Sequence, residues 1–363
     1  RGGAAGRARG PCGPEWRKAW HLRLGPASGT RRLTSMRAGN ANGRRTLLLD
    51  PCSPGVTERL SGLGCDVQQR EPEETVVDAL RRARPEIIIV RSSKLKEQQL
   101  EAVGIDGLAF VMRAGAGVDN IAVGTLRAQG VLVSNAAGAN AVAVAELAMA
   151  HLLNLDRRLC DQAASLRAGE WRRLEFAKGA QGLYGRSLAV LGVGHIGKEV
   201  IKRACAFGME VRAWSRSLSR EAAAELGVEW RSEPLAAADG AFALAVHLPL
   251  SEETRGLVGE EVLGGMQPGG LVVNMSRGGV VDEEALLKAV SERGLRAGLD
   301  VFAHEPSASA LVFEDDAIRE CESVYGTHHT GARTAQAAQA VEDAVVRAVE
   351  AFLSGRPVPG AVG

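Results

Sequence analysis

Short apolar runs, several of them β-branched, recur along this chain at intervals filled by helix-like stretches, and that alternation constrains the fold more than any other feature. Thr46-Leu-Leu-Leu-Asp50, Glu86-Ile-Ile-Ile-Val90, Leu108-Ala-Phe-Val-Met112 and Val131-Leu-Val-Ser134 read as strands, with helices between them such as Glu74 to Ala83 and Lys96 to Val103. A long Ala-rich helix over Ala141 to Arg158 leads to a second series of strands: Ser187 to Leu191, Glu210 to Trp214, Phe242 to His247, Gly270 to Asn274, Arg296 to Leu299 and Ser323 to Tyr325. Another Ala-rich helix, Thr334 to Leu353, nearly ends the chain. Strands that are apolar throughout, rather than on alternate residues, belong to parallel sheets covered on both faces. The expectation is therefore α/β, with two doubly wound parallel-sheet domains and a ligand cleft between them.

Composition narrows the function. The first 45 residues hold 11 Lys and Arg against the single acid Glu15, which leaves 33 basic and 42 acidic residues in the remainder. A mildly acidic body offers no basic face for phosphate neutralisation, so nucleic acid is not an expected partner. The longest apolar stretch, Ala139 to Leu155, is interrupted by Glu146 and His151 and falls short of the roughly 20 residues a bilayer requires. No membrane-spanning helix is expected. The six cysteines show neither zinc spacing nor a disulfide framework, which favours a reducing compartment and no metal.

Residues 1–45 are rich in Arg, Gly, Ala and Ser and nearly free of acid, as in an organellar transit peptide. The alternative is a non-native or upstream extension with Met36 as the true start. The first reading implies a plastid or mitochondrial location and the second a cytoplasmic one. Secretion is disfavoured because an apolar core with a cleavage site is missing.

Within Leu188-Ala-Val-Leu-Gly-Val-Gly-His-Ile-Gly197, a strand runs into glycines spaced G-x-G-x-x-G, and a helix is expected from Lys198 to Phe207. Gly192 permits the tight turn, Gly194 lets the backbone approach a pyrophosphate, and Gly197 allows close packing of the helix. The motif alone is weak, but strand before and helix after make it a dinucleotide site. Beyond the next strand stand Ser215 and Arg216, where an acidic residue normally binds the ribose diol of NAD. The cofactor is therefore NAD or NADP, and an arginine able to pair with a 2′-phosphate leans towards NADP.

Reducing a ketone also needs a cation for a carboxylate and carbonyl, and an acid/base with a group to tune it. Arg277, Glu305 and His329 each follow a predicted strand, the position that lines the crevice of an open parallel sheet. Separately they read as a turn arginine, a charge before Pro306 and a polar cap. Together in one sheet with a dinucleotide turn they read as a catalytic set. A carboxylate beside a histidine favours the imidazolium, which can then donate a proton near neutral pH.

The segments Arg113-Ala-Gly-Ala-Gly-Val-Asp-Asn-Ile121, Gly192-Val-Gly-His-Ile-Gly197, Asn274-Met-Ser-Arg-Gly-Gly279, Asp300-Val-Phe-Ala-His-Glu-Pro306 and the stretch around His329 appear in an order that resembles the D-isomer-specific 2-hydroxyacid dehydrogenases. The resemblance covers about residues 46–360. Within the family it is similar to the phosphoglycerate dehydrogenases, through Val90-Arg-Ser-Ser93, Trp171 to Phe176 and Gly355-Arg-Pro-Val-Pro-Gly360.

The resemblance implies a flavodoxin-like substrate domain from residues 46–138 and 332–363, and a Rossmann domain from residues 139–331. It implies Arg277, Glu305 and His329 as the catalytic residues, with His329 passing the proton and Glu305 orienting it. Substrate contacts fall to Arg91, Ser92, Arg113, Gly115, Ala116 and Gly117. Cofactor contacts fall to Ala116, Gly192, Gly194, His195, Ile196, Gly197, Ser215, Arg216, His247, Leu248, Pro249, Met275, Ser276, Asp300 and Gly331, with Asp300 a partner for the nicotinamide carboxamide.

Two departures stand out: His328 replaces the family's usual Pro, and Ser215 the Asp usual in phosphoglycerate dehydrogenases. The sequence ends after the core, so an appended regulatory domain and inhibition by serine are not expected. The implied activity is oxidation of 3-phosphoglycerate or reduction of 3-phosphohydroxypyruvate, the entry to serine synthesis. An NADPH-linked glyoxylate or hydroxypyruvate reductase remains open, as does a dinucleotide-sensing scaffold of the corepressor kind. The helix from Ala141 matches the family's dimerising segment, so a homodimer is expected.

Overall fold

The computed structural model describes residues 43–306 and 310–362; all but the last three residues of the extension expected over 1–45 lie outside them. The described residues divide into two compact units, one built from residues 141–333 and the other from residues 43–140 together with 334–362. Each is organised around its own parallel sheet.

The smaller sheet contains β1 (Arg44–Leu48), β2 (Cys65–Gln69), β3 (Ile87–Val90), β4 (Phe110–Arg113) and β5 (Leu132–Asn135), in the order β2-β1-β3-β4-β5. This is the flavodoxin-like order, and every pair is parallel. The four residues of β3 are all buried, as a central strand covered on both faces requires. The C-terminal helix Ala335–Leu353 packs on this sheet, capped by Thr334, whose hydroxyl accepts the Ala337 N–H. Phe352 on that helix stacks on Phe110 with ring centres 4.8 Å apart, worth about 1 kcal/mol beyond the area buried.

The larger sheet contains β6 (Ser187–Leu191), β7 (Glu210–Trp214), β8 (Glu229–Trp230), β9 (Ala243–Val246), β10 (Leu271–Asn274), β11 (Arg296–Leu299) and β12 (Val324–Gly326). Its order, β12-β11-β10-β9-β6-β7-β8, reverses between β6 and β9, the doubly wound pattern of dinucleotide-binding folds.

Several details differ from the sequence expectations. β2 and β8 were not anticipated. β2 is an edge strand of Cys-Asp-Val-Gln-Gln, too polar to resemble the central runs, and β8 is only two residues long. The helix after the glycine turn begins at His195, not Lys198, because Gly197 packs inside the first turn. The helix Ala141–Arg157 stops where Arg158 turns left-handed (φ 52°), and a separate helix, Leu159–Arg167, follows. Asp156 fixes that corner by accepting the backbone N–H groups of Gln181 and Gly182, at 2.9 and 3.0 Å.

Candidate active site

The turn after β6 is shaped by two close approaches. Gly192 adopts φ 97°, and a Cβ there would stand 2.6 Å from the His247 carbonyl oxygen at the end of β9. A Cβ on Gly197 would collide with the Gly192 carbonyl, so the first turn of the helix His195–Ala206 can close on the strand only with glycine. Gly194 is the N-cap residue and has nothing within 4 Å of a would-be Cβ. His195 and Gly194 are exposed, and Ile196 is half-buried against the core. Beside the turn, both ring nitrogens of His247 are buried without a hydrogen-bond partner, and burial pushes the imidazole down to about 3. A glycine cradle at a helix N-terminus with orphaned polar atoms beside it, at the switch point of the sheet, fits a dinucleotide pyrophosphate. Leu248 is buried, and Pro249 is exposed while its carbonyl accepts the Thr254 hydroxyl.

At the end of β7, Ser215 is half-buried and Arg216 exposed. No carboxylate follows β7 directly, but Glu253 from the loop after β9 comes within 4.0 Å of Arg216 and receives the Ser251 hydroxyl at 2.6 Å. The charge environment of Arg216 is thus less purely basic than its neighbours in sequence imply.

The loops after β10, β11 and β12 are tied to one another. Asn274 closes the β10 turn by accepting the Ser276 N–H and hydroxyl and by donating to the Arg277 carbonyl. Met275 and Ser276 are consequently buried, while half-buried Arg277 donates from Nη1 to the Ser276 carbonyl at 2.8 Å. A Cβ on Gly278 would collide with the Phe302 carbonyl, so this glycine lets the Arg277 turn lie directly against the segment leading to Glu305. That segment is also held by Glu283, which accepts the Ala303 N–H at 2.7 Å.

His329 meets Glu305 through Nδ1 and Oε1 at 2.6 Å, both side chains being partly exposed. With Nδ1–H directed to the carboxylate, Nε2 is the nitrogen left to exchange a proton with a ligand. His329 itself has φ 50°, a conformation that costs a non-glycine residue roughly 1–2 kcal/mol.

Asp300, which the sequence suggested only as a carboxamide partner, holds that strained position. Its buried carboxylate accepts the Thr327 hydroxyl (2.7 Å), the Thr330 N–H (2.9 Å) and the Gly331 N–H (2.9 Å), bracketing His329 on both sides. Gly331 is needed there, since a Cβ would stand 2.9 Å from Oδ2. His151, also missed, lies buried on the helix Ala141–Arg157 with Nε2 3.3 Å from Thr327 Oγ1 and its ring against Gly298. Because Thr327 gives its hydrogen to Asp300, the imidazole is the donor. Burial lowers its affinity for a second proton, opposed by Asp300.

The residues expected on the substrate side lie in the smaller unit, at the carboxyl ends of β3 and β4. Arg91 and Ser92 are exposed, and Arg113, Gly115, Ala116 and Gly117 are half-buried. The Ala116 carbonyl accepts from Asn135 at 2.7 Å. No cluster of metal-ligating side chains occurs among the described residues.

Strand order and glycine cradle together define a doubly wound, dinucleotide-binding class. Residues 149–331 match the family model for the D-isomer specific 2-hydroxyacid dehydrogenase NAD binding domain. Over 314 residues the chain is 34% identical to a D-3-phosphoglycerate dehydrogenase of Methanocaldococcus jannaschii, covering 86% of this chain and 58% of that protein. It is 36% identical over 267 residues to a hydroxypyruvate reductase of Thermotoga maritima, covering 73% and 84%. Among solved structures it is similar to the NADPH-dependent glyoxylate/hydroxypyruvate reductase of Sinorhizobium meliloti in complex with NADP and malonate, with TM-score 0.72, 28% identity and coverage of 89% and 97%. The chain belongs to the D-isomer-specific 2-hydroxyacid dehydrogenases. It spans a little over half the length of the phosphoglycerate dehydrogenases it matches.

Proposed function

We propose that this protein is an NAD(P)-dependent oxidoreductase interconverting a D-2-hydroxyacid and its 2-oxoacid, with 3-phosphoglycerate and 3-phosphohydroxypyruvate as the substrate pair. Residues 139–331 serve as the cofactor domain, and residues 46–138 with 332–363 as the substrate domain. The observation that carries the reading is the 2.6 Å His329–Glu305 pair in the same sheet as the glycine cradle.

When bound, the nicotinamide supplies or accepts the hydride. For reduction, His329 would deliver a proton from Nε2 to the carbonyl oxygen of the oxoacid, so that hydride from the bound cofactor would leave the alcohol. Glu305 holds the ring through Nδ1 and stabilises the imidazolium before transfer. Arg277 binds the carboxylate and polarises the carbonyl, and its planar fork suits a bidentate contact. Arg91 and Arg113 take the anionic end of the substrate. Asp300 keeps His329 in its strained conformation and retains acceptor capacity for a carboxamide.

A second reading, an NADPH-linked glyoxylate or hydroxypyruvate reductase, is favoured by Ser215-Arg216 in place of an acidic residue. The distinguishing experiment follows the oxidation of NADH and NADPH with phosphohydroxypyruvate, hydroxypyruvate and glyoxylate. The proposal expects the highest kcat/KM with phosphohydroxypyruvate. Preference for glyoxylate or hydroxypyruvate with NADPH would establish the second reading instead.

The chain also forms a homodimer in this proposal. The helix Ala141–Arg157 is largely buried within its own unit, so the segment after it is the better candidate surface: Leu166, Trp171, Leu174 and Tyr184 are 59, 79, 86 and 80% exposed.

A further inference from the structure

In the smaller sheet the strand order reverses between β1 and β3, so Asp50, just beyond β1, and Arg91, just beyond β3, flank a topological switch point. Val90 pairs in register with Arg113, which places Arg91 and Arg113 at neighbouring strand ends. Two cations at such a crevice form an anion cradle when a guanidinium is oriented towards the ligand before it arrives.

Asp50 holds the turn that carries Arg91 through its backbone. Its carboxylate is committed to the turn, accepting the backbone N–H groups of Arg91 (2.6 Å), Ser92 (3.0 Å) and Ser93 (2.9 Å) and the Ser93 hydroxyl (2.9 Å). Asn120 closes the same turn from the other side. Its Nδ2 donates to the Ser93 carbonyl at 2.7 Å, while its Oδ1 accepts Nε–H of Arg113 at 3.2 Å. Arg113 is fixed further by Nη1 donating to the Ala114 carbonyl at 2.7 Å, and its guanidinium lies over Gly115, in space a Cβ would fill. One amide thus joins the turn that carries Arg91 to the guanidinium of Arg113.

We infer that Asn120 is a positioning residue that orients the Arg113 guanidinium against the turn carrying Arg91, so that the pair selects a ligand with a phosphate beside its carboxylate over one with the carboxylate alone. This rests on the reading of the two arginines as substrate-side groups and goes beyond it by naming what orients Arg113. An arginine held in place before binding loses less side-chain freedom when the ligand arrives.

The test compares wild type, Asn120→Ala and Asn120→Asp in calorimetric titrations with 3-phosphoglycerate and D-glycerate, and in kinetics with phosphohydroxypyruvate and hydroxypyruvate. Asn120→Ala retains the bond from the Leu95 N–H to its own carbonyl, so the backbone connection persists. It is expected to weaken 3-phosphoglycerate about tenfold and D-glycerate by less than about twofold. KM for phosphohydroxypyruvate should rise in parallel, with kcat and the cofactor KM within about twofold of wild type. Asn120→Asp, which places a carboxylate on Arg113, should lose more and gives the same readout should the alanine variant not fold. Equal loss for both ligands, no loss for either, or a fall in kcat at constant KM would overturn the inference. So would a wild-type protein that binds 3-phosphoglycerate no better than D-glycerate. Tight binding of 3-phosphoglycerate without reduction of phosphohydroxypyruvate would sink the proposed reaction and leave the cradle standing.

Discussion

Two buried imidazoles make the stability of the free protein depend on pH. Burial lowers His247 from its ordinary 6.5 to about 3, and lowers His151 against the opposing pull of Asp300. The folded state therefore resists protonation that the unfolded chain accepts. Their contribution is complete above about pH 6.5 and is lost as pH falls towards the folded-state values. Each proton taken up only on unfolding gives a slope of about 1.4 kcal/mol per pH unit. His247→Asn should flatten the urea-denaturation slope between pH 6 and 4 by roughly that amount. An unchanged slope would show that His247 titrates as an ordinary surface histidine. At this scale the candidates Arg277, Glu305 and His329 stood out because each lies in the loop after a strand of one sheet. Asp300's grip on the His329 loop and Asn120's link to Ser93 were not, since they join residues 27 to 31 positions apart and exist only once the sheet has formed. The sequence also hid the Arg216–Glu253 approach for the same reason.

Among the elements, central strands were easier to read than edges. β3, β6, β9 and β10 are buried at every residue and stand out as continuous apolar runs. β2 and β8 lie at sheet edges and carry polar side chains, so hydrophobic periodicity does not mark them. The loops that bear the candidate catalytic residues depend on the close approach of the β10 and β11 turns at Gly278. Gly278→Ala should cost at least about 2 kcal/mol, because the opposing atom is backbone and cannot rotate away. Misplacing Arg277 should also lower kcat/KM by about 100-fold. Gly264, which has open space around a would-be Cβ, is the control, and Gly264→Ala should be neutral or slightly stabilising. Equal melting temperatures for the two variants would remove the argument for close packing at Gly278.

At the scale of the whole molecule, the discontinuous unit follows from the C-terminal helix returning to the first sheet, as Phe352 on Phe110 records. The alternation of strands and helices predicted this class of architecture, whereas the helix from Ala141, expected by resemblance as the dimerising segment, is largely buried within its own unit, so the proposed dimer surface shifts to the segment after it. Light scattering should report a mass of twice the chain, and Trp171→Glu combined with Leu174→Asp should reduce it to one. A monomeric wild type would exclude the dimer.

The most direct test of the central claim measures oxidation of reduced cofactor by phosphohydroxypyruvate in wild type and His329→Asn, with cofactor affinity followed by nicotinamide fluorescence. If His329 passes the proton, kcat falls about 1,000-fold while the cofactor Kd stays within about twofold. Turnover by His329→Asn at the wild-type rate would contradict the assignment of this site as the reaction centre.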